Sequence, residues 1–508
     1  MEMVNACING LKLYDITFKT KVTHKMFYVV MLSILYSYQL LGQPNFTDAS
    51  SLLPQANIFY SWMQKGAADV NGDGYDDIVR SSTTGEFYIL KQPKTPNTPW
   101  TEVSLGQVQN YSPLSIILGD VDNNGYCDIL TGGHYNGVRI VKANHNGTVY
   151  TATQLPDDYI YTQASAMADI NGDGWLDLFV CHDDGISAIW RNISNGSFVR
   201  DNMGIDMTSN PPSDNSGNYG IVFTDFDNDG DQDFYISKCR AGVTDPNDGR
   251  RINQLFVNDG ANNYTEMAST YGLRDGSQTW ITEFQDIDND GDMDALIINH
   301  YTPSRLLRNS GNGYFTDITS GSGLENLPSG ILQALMRDFD NDGYVDLLYS
   351  GGEGAGYYKN NGNGTFIQQS IGPLNSNGDQ LRSFVIGDFN HDGFQDIYAS
   401  YYWSSASPDK LWLNAGNSNA HLPIILQGWE NNRSAIGTKV TLRQGTNKQV
   451  REIRAGESYG LSNTHCINFG LGLNHIIDEI EVVWPDGKKD RLIGLQPNKM
   501  VYVREGKK

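Results

Sequence analysis

Seven copies of one nine-residue pattern, D-x-[DN]-x-[DN]-G-x-x-D, run through this chain at nearly even intervals. They are DVNGDGYDD at 69, DVDNNGYCD at 120, DINGDGWLD at 169, DFDNDGDQD at 225, DIDNDGDMD at 286, DFDNDGYVD at 338 and DFNHDGFQD at 388. The steps between them are 51, 49, 56, 61, 52 and 50 residues. A period of this size means that one supersecondary unit is repeated and stacked, which restricts the chain to a propeller or a solenoid. It also accounts for a length of 508 residues without several unrelated domains.

Strand chemistry brackets each loop. Apolar or alternating runs precede it (IVFTDF, ILQALMRDF, RSFVIGDF) and follow it (DLFVC, DFYIS, DALIIN, DLLYS, DIYAS). A third run ends in Asn before a glycine-rich turn, as in AIWRN, QLFVN, RLLRN, GYYKN and KLWLN. A fourth follows, as in NYTEMAS, YFTDITS and TFIQQS. Four short antiparallel strands in about 50 residues make a propeller blade. The seventh unit stops at KLWLN (410–414) with no fourth run, while FTDASSLL (46–53) looks like FTDITSGSGL (315–324) and has no unit of its own. Residues 46–50 are therefore expected to close blade seven and remove a free strand edge. The expected fold class is all-β: a seven-bladed β-propeller over 46–414 with calcium-binding hairpin loops, then a small C-terminal β-sandwich-like domain over 421–505. In that domain KVTLR, KQVREIR, CINFG, IEVVW and MVYVRE alternate or run apolar between turn sequences. With no Pro- or Ser-rich linker between them, the two parts are expected to pack together.

The loops explain the acidity. DFDNDGDQD alone holds five carboxylates, and like charges so close repel one another unless something neutralises them. Positions 1, 3, 5 and 9 bear a side-chain oxygen in every copy, and position 6 is always Gly, which turns the backbone sharply with positive φ. A hard cation such as calcium takes about six to eight oxygens, including a main-chain carbonyl at position 7. The expected ligands are Asp69, Asn71, Asp73, Tyr75 and Asp77 in loop one, and Asp120, Asp122, Asn124, Tyr126 and Asp128 in loop two. Loop three supplies Asp169, Asn171, Asp173, Trp175 and Asp177, and loop four Asp225, Asp227, Asp229, Asp231 and Asp233. Loop five supplies Asp286, Asp288, Asp290, Asp292 and Asp294, and loop six Asp338, Asp340, Asp342, Tyr344 and Asp346. Loop seven supplies Asp388, Asn390, Asp392, Phe394 and Asp396. Up to seven structural Ca2+ ions are expected, held most tightly in loops four, five and six, which have four carboxylates each at these positions. An EF-hand needs Glu at position 12, and these loops have Arg80, Thr131, Val180, Ile236, Ile297, Tyr349 and Ala399 there. A catalytic metal would want an open coordination position and a nearby base, and no repeat supplies the base.

The formal net charge of −23 argues against nucleic acid and anionic membrane surfaces as partners. Residues 1–42 read as an export signal: Lys19, Lys21 and Lys25 precede the uncharged run MFYVVMLSILY, with a small residue, Gly42, before a polar start. The expected location is secreted or cell surface, with no membrane span in the mature chain and a monomeric state. Cys127, Cys181, Cys239 and Cys466 show no paired spacing and indicate neither zinc nor a disulfide framework.

The loops, in units of this size, resemble the FG-GAP or VCBS repeats of integrin α-chain propellers and many exported bacterial proteins. NRSAIGTKVTL (432–442), GESYGLSNTHCINFGLG (456–472) and IDEIEVVWPDGKKDRL (477–492) look like the ASPIC/UnbV domain of the cartilage acidic protein family and its bacterial relatives. The resemblance implies an extracellular adhesion or matrix-interaction scaffold with a protein or glycan ligand and no catalysis of its own. Two other readings remain open, a carbohydrate-binding lectin and a polysaccharide-active enzyme working at the propeller channel. Arg240, Arg250 and Arg251 make the inserted loop 238–251 the best candidate for an anionic contact. Trp62, Trp175, Trp280, Tyr301 and Trp403 are read as packing residues before sugar platforms. Histidines 134, 182, 300, 391 and 421 show no ligand spacing, and His391 is expected to face solvent.

Overall fold

The computed structural model describes residues 44–54, 61, 63–301, 303–351, 354–375, 380–401 and 408–506. The expected export signal over 1–42, Trp62 and Trp403 lie outside the described residues. Pro44–Lys508 forms one compact unit, and the regular secondary structure of its described residues is almost wholly strand.

Seven four-stranded antiparallel sheets follow one another, each beginning with the strand that leads into an acidic loop. These first strands are Lys65–Ala68, Ser115–Gly119, Thr162–Ala168, Asn218–Thr224, Thr279–Gln285, Ile331–Arg337 and Leu381–Gly387. Each packs against the first strand of the next sheet, and Leu381–Gly387 packs back on Lys65–Ala68, so the ring is closed. The fourth strand of blade seven is Phe46–Asp48, with Phe46 opposite Asn414, Thr47 opposite Leu413 and Asp48 opposite Trp412.

Burial explains the strand sequences. Second strands such as Asp233–Lys238, Asp294–Asn299 and Asp396–Tyr401 are buried at every residue. They have sheet neighbours on both edges and another blade on both faces, so they read as unbroken apolar runs. Outer strands such as Tyr150–Gln154 are largely exposed and polar. A hydrophobic cluster fills each junction between blades. Between blades three and four it is built on Phe179, Phe223, Phe234 and Phe256, whose rings lie 4.6–6.0 Å apart where they touch.

The C-terminal domain has a three-stranded sheet (Ala420–Gln427, Ile467–Gly472, Val501–Arg504) and a four-stranded one (Lys439–Gln444, Asn447–Glu452, Glu479–Val483, Lys489–Leu492). Leu422, Ile424, Phe469, Val440, Leu442 and Ile480 fill the space between them, continuous with the core of blades two and three. The domain sits on the face that carries the acidic loops. Ser434 accepts the Asp120 N–H at 2.9 Å, and Lys439 meets Asp225 at 2.6 Å. Asn468 donates to Asn341 at 2.9 Å and to the Gly393 carbonyl at 2.8 Å.

From this domain the hairpin 453–464 enters the central channel and touches every blade. Ser462 accepts the Ala67 N–H of blade one through its carbonyl and the Leu118 N–H of blade two through its hydroxyl, both at 3.0 Å. Ala455 pairs with Met167 of blade three, and the Arg454 guanidinium reaches Thr224 of blade four and the Phe284 carbonyl of blade five. Arg337 of blade six donates to both Glu457 oxygens at 2.5–2.6 Å, and Asn463 accepts the Ile386 N–H of blade seven. At the tip Tyr459 bonds to Gln163 and stacks on Trp280, 5.5 Å away with the planes inclined by 26°. The channel of the ring is thus filled by the chain itself.

Candidate metal centres

Each acidic loop is a tight hairpin between first and second strands. Its position 6 glycine has φ between 82° and 101° in all seven copies, and position 4 (Gly72, Asn123, Gly172, Asn228, Asn289, Asn341, His391) is also left-handed. Gly, Asn and His tolerate that region best, which explains what stands there. The first Asp pins the turn: in loops one, two, three, six and seven its two oxygens accept the N–H groups of positions 5 and 6 at 2.6–3.2 Å.

The ninth Asp is a brace as well as an expected ligand. In loops two, three, five, six and seven one oxygen takes the N–H of position 2 and the other takes the N–H at the end of the third strand, at 2.7–3.4 Å. Each carboxylate oxygen has a second lone pair, so bracing leaves room for a cation.

Three carboxylates converge within 4.8 Å in four loops: Asp120, Asp122 and Asp128; Asp225, Asp227 and Asp229; Asp286, Asp288 and Asp290; Asp338, Asp340 and Asp346. Buried oxygens of Asp122, Asp225, Asp233, Asp286 and Asp288 have no hydrogen-bond donor. An all-oxygen, multiply anionic set with orphaned lone pairs fits a hard divalent cation. In loops one, three and seven an Asn replaces the second carboxylate, and its amide donates to Asp77, Asp173 or Asp392 at 2.7–2.9 Å. Those loops partly neutralise themselves and show no three-carboxylate cluster among the described residues.

Burial, then neighbouring carboxylates, pushes the loop acids up from 3.8: Asp169 to about 6, Asp286 to about 7 and Asp177 to about 8. Each four-carboxylate loop also has a basic side chain against it. Lys439 meets Asp225 at 2.6 Å, Arg308 meets Asp288 at 3.0 Å, and Lys359 bridges Asp340 and Asp342. Burial pulls Lys359 down, but Asp346, Asp340 and Asp342 outweigh it and hold the ammonium charged.

Sequence reasoning missed what ties the loops to the ring. A side chain of the next blade donates to the carbonyl of position 1 or 2 in every loop. Asn192, Asn309, Asn360 and Asn414 reach Val121, Phe226, Ile287 and Phe339 at 2.7–2.8 Å. Tyr150 and Tyr264 reach Val70 and Ile170, and Gln92 reaches Asp388 across the closure of the ring. The recurring Asn at the end of the third run was the available signal. His391, expected to face solvent, is instead half-buried against Tyr75, 4.0 Å away, and takes a hydrogen bond from Gln92. Burial lowers its pKa to about 4.

In the inserted loop 238–251 the basic side chains are already engaged within the chain. Arg240 is paired with Asp183 and Asp184, Arg250 with Asp248, and Arg251 is buried. Cys127, Cys181, Cys239 and Cys466 are free thiols.

Residues 69–131, 120–180, 169–236, 286–349 and 338–399 match the model of the FG-GAP-like repeat, and residues 428–508 match that of ASPIC and UnbV. Cartilage acidic protein 1 of Mus musculus is 30% identical over 254 residues, which cover 46% of this chain and 38% of that protein. The Homo sapiens protein of the same name is 29% identical over 254 residues, 46% of this chain and 37% of its own. The matched region thus spans under two fifths of these relatives. Among solved structures, the exotype rhamnogalacturonan lyase YesX is similar with a TM-score of 0.43 at 13% identity, covering 74% of this chain and 76% of its own. BBS1N in complex with ARL6DN gives a TM-score of 0.45 at 11% identity, covering 74% and 98%. Similarity at that level carries no argument about chemistry.

Proposed function

Because the chain belongs to the FG-GAP-like repeat family and carries an ASPIC and UnbV domain, we propose that it is an exported, calcium-stapled propeller serving as an extracellular interaction scaffold. It has no catalytic activity of its own in this reading. The observation that carries it is the coupling of every acidic loop to the next blade through a side-chain donor. Calcium in a loop neutralises its carboxylates and sets the carbonyl that the neighbouring blade grips, so the ions act on the ring as a whole. The hairpin in the channel supports the non-catalytic reading, since the axial space where a polysaccharide would be cleaved is filled.

Titration calorimetry of the decalcified chain tests this. Loops four, five and six fill first, and millimolar calcium raises the melting temperature by on the order of 10 °C or more, several kcal/mol spread over the ring. A melting temperature and metal content indifferent to exhaustive chelation would overturn the reading.

A further inference from the structure

The face of the propeller opposite the acidic loops carries a concentration of aromatic rings around the mouth of the filled channel. On blade five Trp280 stacks on His300 with ring centroids 4.2 Å apart and planes 6° from parallel, and Tyr301 stands edge-on to His300 at 4.1 Å. Tyr219 of blade four extends the row, stacked on Trp280 at 5.6 Å. Its inner end is Tyr459, the tip of the C-terminal hairpin. Beside blades two and three a second group gathers: Tyr135 stacks with Tyr159 at 4.6 Å, and His134 lies 4.3 Å from Tyr161.

A hydrogen-bonded chain joins the two groups. Tyr459 bonds to Gln163, whose amide donates to Asp183 at 2.8 Å. Arg240 then clamps Asp183 and Asp184 at 3.0 and 2.7 Å, and Tyr135 donates to Asp184 at 2.6 Å. The rings are therefore held in place before anything binds, and polar groups lie between them.

Three features select the occupant. Tyr159 is 79% exposed and Tyr301 67%, so the platform is open at both ends. Among the described residues, the exposed large aliphatic side chains, such as Val149, Ile193, Ile367 and Leu473, lie on the acidic-loop side, on outer strands or in the C-terminal domain. A surface that offers ring faces and polar groups without aliphatics suits the C–H faces and hydroxyls of sugar rings better than the mixed apolar core of a protein partner. The formal charge of −23 on the chain disfavours an anionic glycan.

We propose that this face binds a neutral glycan chain, laid across the two aromatic groups. The proposal rests on the scaffold reading and names its ligand class.

Affinity electrophoresis of the full chain in calcium tests it, with laminarin, mannan and soluble xyloglucan as neutral probes and heparin and alginate as anionic ones. The expected result is retardation by at least one neutral polysaccharide. Tyr159→Ala and Tyr301→Ala each weaken it roughly five- to tenfold, while Tyr314→Ala on the acidic-loop side leaves it unchanged. Both tyrosines are largely exposed, so an unaltered melting temperature shows that the variants fold. No retardation by any neutral probe, retardation by heparin or alginate alone, or retardation unaffected by both substitutions would each overturn the proposal. None of these results would alter the response to calcium, so failure here is distinguishable from failure of the scaffold reading.

Discussion

At the scale of single residues, two kinds of side chain set the behaviour of the loops: those that grip a loop from the next blade and those that oppose its charge. Asn309 belongs to the first kind, donating to the Phe226 carbonyl at 2.7 Å and to Met293 at 3.2 Å. Asn309→Ala strands two buried carbonyls, at a cost of about 2–3 kcal/mol. Titration calorimetry will also show calcium affinity falling at loop four, whose carbonyl it holds, and unchanged elsewhere. Lys359 belongs to the second kind. Lys359→Met will lower the melting temperature in chelator, because Asp340 and Asp342 lose their counter-charge at about 3 kcal/mol. The same substitution will tighten calcium at loop six, where the ion no longer displaces an ammonium. The carboxylates themselves were readable, since spacing alone places Asp338, Asp340 and Asp346 on one hairpin. Lys359 was not, because its pairing depends on the turn that brings a third strand beside the loop.

At the scale of elements, the blades were legible and the channel hairpin was not. Phe46–Asp48 and Phe315–Asp317 carry the same FTD tripeptide and hold the same outermost place in their sheets. The run RAGESYGLSNTH has neither a period of 2 nor one of 3.6, because it spreads its hydrogen bonds over the first strands of all seven blades instead of pairing with one. Its glycines were the clue. A Cβ on Gly460 would stand 2.4 Å from the Leu114 carbonyl, and one on Gly456 would stand 2.5 Å from that of Ser165. Gly460→Ala will therefore push the tip out of the channel. Hydrogen–deuterium exchange will read this as lost protection along 454–463 and along the first strands facing it, with the outer strands unaffected. Unchanged exchange would mean that the hairpin fits loosely.

At the scale of the whole molecule, the acid loops make stability depend on pH in opposite senses with and without metal. Asp120 and Asp388 are raised to about 7, Asp169 to about 6 and Asp177 to about 8, each mainly by burial. A carboxyl with a folded pKa above its unfolded one favours folding while protonated. Its contribution is complete below about pH 4 and is lost as pH climbs through 6 to 8. In chelator the melting temperature will therefore be higher at pH 5 than at pH 8. In millimolar calcium the order will reverse, because the ion binds the deprotonated loops. Differential scanning calorimetry at the two pH values settles it, and the same order in both buffers would refute the coupling. The metal-free half of this was hidden from the sequence, which shows how many acids there are but not how deeply they are buried.

The ring is latched by Phe46–Asp48 against residues 410–414 and filled by 453–464. Phe46–Asp48 thus has to wait for a partner more than 360 residues behind it, and the bore stays hollow until later still. Assembly is bound to be late and abrupt, since the ring can neither close nor fill until residues beyond 410 are in place.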